Sequence, residues 1–299
     1  MTIRTIRQVL SEGKRLLRSM PNAGESNIIA LDAGLLLGEV LRKNRAELLM
    51  HENDEVSEAD SAHFFSLIQR RLDGECVAYI LGRKEFRGLE FAVNRHVLVP
   101  RPDTETLVEA ALEIVDRRTN AEAGKGISVF DLCTGSGAAA ISLKSERPFL
   151  TVTASDISAP ALETARLNAA RLLPETPDDI RFVQSDLFDN FRAEGISCKF
   201  DIIVSNPPYI CSNAIAGLAP EVRGEPHLAL DGGEDGLDLI RKIIAQAGEY
   251  LAADGWLFIE ADPAQMLEIK AIAAAHGFGG FRIFSDLSGK ARVFGAELL

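Results

Sequence analysis

The stretch "VFDLCTGSGAAAISL", Val129 to Leu143, passes from a β-branched and aromatic run, through a turn carrying Gly135 and Gly137, into an alanine-rich run. That composition predicts a strand, a glycine turn and a helix. The same alternation continues downstream. "LTVTASDI" reads as a strand, a helix runs from Ala159 to Leu172, and "IRFVQSD" and "FDIIVSN" are further strands. A helix around Leu237 to Leu251, the strand "WLFIEA" and a helix from Ala264 to His276 lead to "FRIFSDL" and "ARVFGAEL". Strands alternating with helices predict an α/β fold with a doubly wound, mainly parallel sheet. No helix separates the last two strands, so an antiparallel hairpin should close it.

Upstream the texture differs. Residues 1 to about 75 read as helices, with apolar positions recurring at three and four in "ESNIIALDAGLLLGEVL" and Ser57 as an N-cap for "EADSAHFFSLIQRRL". "KEFRGLEFAV" predicts a hairpin around Arg87 and Gly88. In "VLVPRPD" the prolines should hold off a helix until Asp103 or Thr104 caps one. The opening "MTIRTIRQVLSEGKRLLRSM", apolar at Ile3, Ile6, Leu10 and Leu17, has the character of a mitochondrial transit peptide, but Glu12 counts against one. The first helix of the mature fold is the expectation.

The 299 residues, 46% hydrophobic and 25% charged, suit a soluble chain of two domains with sizeable cores. With 32 basic against 44 acidic residues, a net charge of −12 argues against naked nucleic acid as the main partner. No apolar run reaches membrane-spanning length. Cys76, Cys133, Cys198 and Cys211 show no paired spacing and read as free thiols in a reducing cytoplasm, and the scattered histidines offer no metal site.

In an open α/β sheet the ligand crevice lies beyond the carboxyl ends of the strands. The first turn, Cys133, Thr134, Gly135, Ser136 and Gly137, gives a ligand access to backbone and to helix N-terminal amides. It lacks the third glycine of a dinucleotide fingerprint, and Cys133 occupies the place of the first. Asp131 before it could receive a cationic group such as the amino group of S-adenosylmethionine. Asp156, ending the second strand, can accept from two ribose hydroxyls, which either cofactor would use. Asp186, ending the third, could accept from an adenine amino group, with Leu187 or Phe188 covering the ring.

The fourth strand delivers "NPPY", Asn206 to Tyr209, to the same crevice. Pro207 and Pro208 have no N–H and present only carbonyls. The Asn206 side-chain oxygen and the Pro207 carbonyl are then two fixed acceptors, whose complement is a planar –NH2, and Tyr209 adds a flat face. Such a site can orient a nitrogen whose lone pair is tied up in a π system, so Asn206 and Pro207 are the candidate catalytic groups. The amine could belong to glutamine, adenine, cytosine or guanine.

"DLCTGSG" from Asp131 together with "NPPY" resembles the protein N5-glutamine methyltransferases, and within them the release factor glutamine methyltransferase family. The similarity extends to "YILGRKEFRGLEFAVNRHVLVPRPDTETLVE", "PEVRGEPHLALDGGEDGLDLIRKI" and "HGFGGFRIFSDLSGKARVF". It implies a helical substrate-recognition domain at 1–81, a hairpin linker at 82–100, and a Rossmann-like methyltransferase domain with a seven-stranded sheet at 101–299. It further implies a methyl transfer from S-adenosylmethionine to the glutamine of the Gly-Gly-Gln tripeptide in peptide chain release factors. Asn206 and Pro207 would hold the amide with Tyr209 nearby, and Cys133 to Gly137 with Asp156 would bind the cofactor, Asn206 bordering both. The chain departs from the family pattern at Cys133, where glycine is usual, at Asp103 for glutamate, and at "EADPAQ" for E-x-G-x-x-Q. A sister enzyme acting on a ribosomal protein and a nucleic-acid amino-methyltransferase are the alternatives, the latter disfavoured by the charge.

Overall fold

The computed structural model describes residues 4–20, 26–121, 126–176, 179–193 and 199–299. Two compact units form, Met1–Gly82 with Leu218–Gly224, and Arg83–Gly217 with Glu225–Leu299.

In the first unit a two-residue ladder pairs β1 (Arg4–Thr5) with β2 (Glu55–Val56). Around it lie α1 (Ile6–Leu17), α2 (Ser26–Leu41), α3 (Arg45–Met50), α4 (Glu58–Leu72) and α5 (Val77–Leu81). Polar caps set their starts: Thr5 with Gln8 closes a capping box on α1, Asn44 with Glu47 on α3, and Ser57 accepts from the Asp60 amide on α4 as predicted. Ile6, Val9, Leu36, Leu37, Phe64 and Ile68 make the core. Buried Arg71 holds Asp32 at 2.9 Å and Glu221 at 3.2 Å, which fastens the Leu218–Gly224 segment to these helices. The amphipathic opening is thus a packed helix from Ile6, while Ile3 lies outside the described residues.

The second unit begins with the predicted hairpin, β3 (Arg83–Phe86) and β4 (Leu89–Ala92). Arg87 and Gly88 both take positive φ, 50° and 75°, the two-residue turn whose twist matches its strands. Helix α6 (Pro102–Ala121) starts earlier than the predicted cap at Asp103 or Thr104. Proline is suited to a first helical position, because its φ is preset and its missing N–H would have had no partner there.

The elements then alternate: β5 (Ser128–Leu132), α7 (Ala138–Glu146), β6 (Thr151–Asp156), α8 (Ala159–Leu172), β7 (Ile180–Gln184), α9 (Asp189–Ala193) and β8 (Phe200–Ser205). A short α10 (Pro220–Arg223), counted with the first unit, precedes α11 (Asp238–Tyr250), β9 (Leu251–Glu260), α12 (Met266–Ala275), β10 (Phe278–Ser285) and β11 (Ala291–Leu298). Helix α12 begins after the predicted Ala264 because Asp262 and Gln265 cap a tight turn at Pro263–Gln265. The seven strands lie in the order β10-β11-β9-β8-β5-β6-β7. Those from β9 to β7 are parallel, and the β10–β11 hairpin is antiparallel as expected.

Successive strand residues alternate between two buried faces. Val129, Ile202, Val204 and Phe258 pack towards α6, whereas Phe130, Ile203, Leu257 and Ile259 pack towards α11 and α12. At the mouth of α7, a Cβ on Gly137 (φ 82°) would lie 2.8 Å from Ile141 Cδ1 and 3.3 Å from Ala165 Cβ, so glycine permits the close approach of α8. The order reverses at β5, flanked by β6 and β8, and this switch point is where a doubly wound sheet opens its crevice. No helix among the described residues is long and apolar enough to cross a membrane. Cys76, Cys133 and Cys211 are not joined in disulfides, and Cys198 lies outside the described residues.

Phe130 is fully buried, with the Phe200 ring centroid at 4.7 Å and Phe191 at 4.9 Å. Phe130→Ala is expected to cost about 3–5 kcal/mol. Denaturant unfolding followed by the fluorescence of Trp256, the single tryptophan, measures it. A loss below about 1 kcal/mol would contradict this packing.

Candidate active site

A cavity of about 220 Å³ lies beyond the carboxyl ends of β5, β6, β7 and β8. Of the sequence-predicted residues, Asp131, Cys133, Thr134, Gly135, Ser136, Asp156, Asp186, Leu187, Asn206 and Pro208 line it, and Gly137, Pro207 and Tyr209 do not. Register explains the convergence. Leu132 pairs with both Ser155 and Ser205, and Asp156 with Gln184, so the four strands end level.

The glycine turn is held by the carboxylates it surrounds. Asp131 Oδ2 accepts from the Thr134 hydroxyl at 2.6 Å and the Ala140 amide at 3.1 Å. Burial pushes the Asp131 carboxyl up to about 7 against those two bonds, with Asp156 adding to the rise. Asp156 accepts from Gly135 N–H on one oxygen and Ser158 N–H on the other, both at 2.9 Å. Burial raises its pKa too, while the amides of Ser158, Gly135 and Ile157 counter the rise. Each carboxylate oxygen can accept more than one hydrogen bond, so both residues keep capacity for a ligand.

Cys133 takes φ 60°, a left-handed conformation that costs an L-residue roughly 1–2 kcal/mol. This accounts for glycine in the family pattern. Burial, reinforced by Asp156, pushes its thiol far above the usual range, so it is no ready nucleophile. Of Leu187 and Phe188, the two residues expected to cover a ring, Leu187 lines the cavity. Phe188 instead turns into the core and stacks on Tyr250 at 4.5 Å, where a large apolar ring buries more surface.

Asn206 follows the last residue of β8, and its Nδ2 donates to Thr104 Oγ1 at 3.1 Å. This leaves Oδ1 as the acceptor the amide can offer. Tyr209 does not present its ring to the cavity. It packs on the core beside α11 and α12, and its hydroxyl donates to Glu260 Oε1 at 3.2 Å. Gln265 Nε2 donates to the carbonyls of Tyr209 (3.0 Å), Asp235 (3.2 Å) and Gly236 (3.2 Å), clamping the exit of "NPPY". A Cβ on Gly236 would stand 2.2 Å from Tyr209 O, so only glycine allows this approach.

The loop after β8 folds back to close the site. Ile210 N–H donates to Leu230 O at 3.0 Å, and buried Glu225 accepts from Val99 N–H at 3.1 Å and from Arg101. Sequence reasoning missed Thr104, Glu225, Glu260 and Gln265 as parts of the site. Thr104 and Glu225 lie in segments that resemble the family, and Glu260 and Gln265 are the two ends of "EADPAQ", the positions at which it keeps the E and Q of E-x-G-x-x-Q.

Residues 8–82 match the family model described as "PrmC N-terminal domain", and residues 112–218 match "Methyltransferase small domain". The chain is 42% identical over 270 residues to the release factor glutamine methyltransferase of Agrobacterium fabrum (strain C58), covering 88% of each chain. It is 42% identical over 270 residues to that of Neisseria gonorrhoeae, covering 90% of this chain and 94% of that one. A bifunctional methyltransferase of Rickettsia typhi is 34% identical over 302 residues, which are 97% of this chain and 56% of that one. The solved structure of SMU.776 complexed with SAH matches with a TM-score of 0.50 at 14% identity, covering 73% of this chain and 56% of that one, a likeness of fold.

A buried carboxyl with its pKa near 7 makes binding of a cation sensitive to pH. The affinity for S-adenosylhomocysteine, measured by calorimetry, is expected to rise as Asp131 ionises between pH 6 and 8. Asp131→Asn should weaken binding about 10-fold or more and remove that dependence. An Asn variant that keeps both affinity and pH dependence would show that Asp131 meets no cation.

Proposed function

The chain belongs to the release factor glutamine methyltransferase family, and we propose that it methylates the side-chain amide nitrogen, N5, of the glutamine in the Gly-Gly-Gln motif of peptide chain release factors. The observation that carries this reading is the hydrogen bond from Asn206 Nδ2 to Thr104. It supports the reading by turning the other end of the Asn206 amide, an acceptor, towards the cavity that Asn206 lines.

The methyl donor is S-adenosylmethionine, and the residues of the cavity fit it. Buried carboxyls at Asp131 and Asp156 suit an ammonium and a ribose diol, Asp186 suits the adenine amino group, and Leu187 supplies an apolar wall. Cys133 to Gly137 shape the turn around the amino-acid end. When bound, this cofactor supplies a methyl group on a positively charged sulfur.

The chain's own residues solve the remaining problem, the weak nucleophilicity of an amide nitrogen. Asn206 Oδ1 and the Pro207 carbonyl accept the two hydrogens of the glutamine –NH2. They orient its nitrogen and favour the positive charge that develops as the N–C bond forms and the methyl–sulfur bond breaks, the sulfur leaving as the neutral thioether and the surplus proton on nitrogen passing to water. Pro208 borders the pocket, and Tyr209, held by Glu260 and Gln265, stiffens the segment. Alignment of this kind can supply ~7–11 kcal/mol of the barrier. A glutamate oxygen in the same place would set lone pairs against two acceptors, at roughly 1–3 kcal/mol for each group left unpaired. The helical unit grips the release factor, and the reaction takes place in the cytoplasm.

With labelled S-adenosylmethionine, methyl transfer to a bacterial release factor is expected, and none to its Gln→Glu variant. Asn206→Ala should cut the rate by about 100-fold or more while cofactor affinity stays within a few-fold. Label appearing in a ribosomal protein or a nucleic acid and not in the factor would overturn the proposed substrate. Equal loss of cofactor binding in Asn206→Ala would move that residue to the cofactor site.

A further inference from the structure

A closed circuit of backbone and hydrogen bonds borders the cavity, all of it within the second unit. From Asn206 the chain passes through the two prolines to Ile210, whose N–H donates to Leu230 O at 3.0 Å and whose carbonyl accepts from Gly232 N–H at 2.9 Å. The loop leads back from there to Glu225, where the buried carboxylate accepts from Val99 N–H at 3.1 Å and from the Arg101 guanidinium. Arg101 opens α6, its carbonyl accepting from Thr104 N–H at 3.0 Å. Thr104 Oγ1 then accepts from Asn206 Nδ2 at 3.1 Å, and the circuit is complete. Each arc lines the cavity: Leu98 and Thr104 from one, Leu228 and Ala229 from the next, Asn206 and Pro208 from the third.

The run from Val99 to Pro102 offers few donors by which it could be tied, because Pro100 and Pro102 have no N–H. One carboxylate takes what there is, the Val99 amide on Oε2 and the Arg101 side chain on Oε1. Hydrogen bonds to an ionised group are roughly twice as strong as neutral ones. The Glu225 side chain is 1% exposed against 40% for Arg101, so the acid is sunk in the fold and the base reaches down to it from the surface. We propose that Glu225 is a positioning residue for methyl transfer, closing this circuit and thereby setting the Thr104 hydroxyl against Asn206. This deepens the proposed function and rests on it.

The circuit has two side-chain closures, Glu225 and the Thr104–Asn206 bond, and its third closure, at Ile210, is backbone to backbone. Without the Glu225 carboxylate, the Arg101 guanidinium turns to water and Val99 N–H loses its acceptor. The segment that carries Leu98 is then released on the side facing Leu228, and the first turn of α6 is freed with it. Thr104 no longer stands at a fixed distance from Asn206, whose amide can turn and offer the substrate –NH2 a donor in place of an acceptor. Asp131 and Asp156 lie on β5 and β6, outside the circuit, and their bonds to the glycine turn do not pass through it. Loss of Glu225 should therefore reach the methyl-transfer step and spare the cofactor.

The test compares the wild type with Glu225→Ala, Glu225→Gln, Thr104→Val and the Glu225→Ala, Thr104→Val double variant, at saturating S-adenosylmethionine and release factor. Glu225→Ala is expected to lower kcat about 10-fold or more. Calorimetry with S-adenosylhomocysteine should show its affinity within a few-fold of wild type, which also establishes that the variant is folded. Glu225→Gln keeps an acceptor for Val99 but not the ion pair, so its kcat should fall between the two, and it carries the comparison if the alanine variant does not fold. Thr104→Val opens the same circuit at its other side-chain closure, so the double variant should be no slower than the slower single one. Independently of any substrate, the Asn206 side-chain –NH2 resonances should move in Glu225→Gln in the direction they take in Thr104→Val. Unmoved Asn206 resonances, a kcat unchanged in Glu225→Ala, or losses that multiply in the double variant would overturn the inference. Absence of methyl transfer by the wild type would overturn the proposed substrate instead, and the resonances would still decide the role of Glu225.

Discussion

The hydrogen bond from Asn206 Nδ2 to Thr104 Oγ1 distinguishes the two ends of an amide that sits at the head of the crevice. Much of the second unit serves to make it possible. β8 carries Asn206 to the switch point, α6 brings Thr104 in from 102 residues away, and β9 ends in Glu260, which accepts from the Tyr209 hydroxyl. The two prolines stiffen the strand exit, and Gln265 fixes its far end through three carbonyls. In this account specificity for an amide over an acid comes from arranging acceptors, and a strong base is not needed.

That arrangement has an electrostatic cost. Asp131 and Glu260 are buried carboxyls whose pKa values stand near 7. A folded-state pKa raised above the unfolded one favours the native state below the ordinary carboxylate range, and this advantage is lost as pH rises through the folded value. Around neutrality both groups therefore work against the fold in their charged forms. In the proposed reading, the cofactor ammonium at Asp131 would offset part of that cost. At Glu260 the offset is built in, through Thr104, Tyr209 and Arg292. Strain at Cys133 is a further local cost, since a side chain occupies a backbone conformation suited to glycine.

The fold was largely legible because its signals are local. Period-two burial, alternation of strand and helix, and the Arg87–Gly88 turn are written in contiguous residues, and the parallel sheet with its closing hairpin followed from them. The start of α6 was misplaced because Pro102 was read as a barrier, when the first helical position tolerates it. The β1–β2 ladder was invisible, since two residues carry no periodicity. In the site, the residues that end strands were found, because strand ends in this topology share one crevice. The partners that aim them were not, because Thr104, Glu225, Glu260 and Gln265 reach the site from distant elements. Leu187 and Phe188 are adjacent, and only the turn geometry decides that the leucine lines the cavity and the phenylalanine packs in the core.

The central claim is that a substrate amide is held by its –NH2 between two acceptors of the β8 exit. A crystal structure of the protein with S-adenosylhomocysteine and a release factor, or a peptide carrying Gly-Gly-Gln, tests it most directly. The account predicts the glutamine nitrogen at about 2.7–3.2 Å from both Asn206 Oδ1 and the Pro207 carbonyl. A glutamine bound with its oxygen towards these groups, or held by other residues, would contradict it.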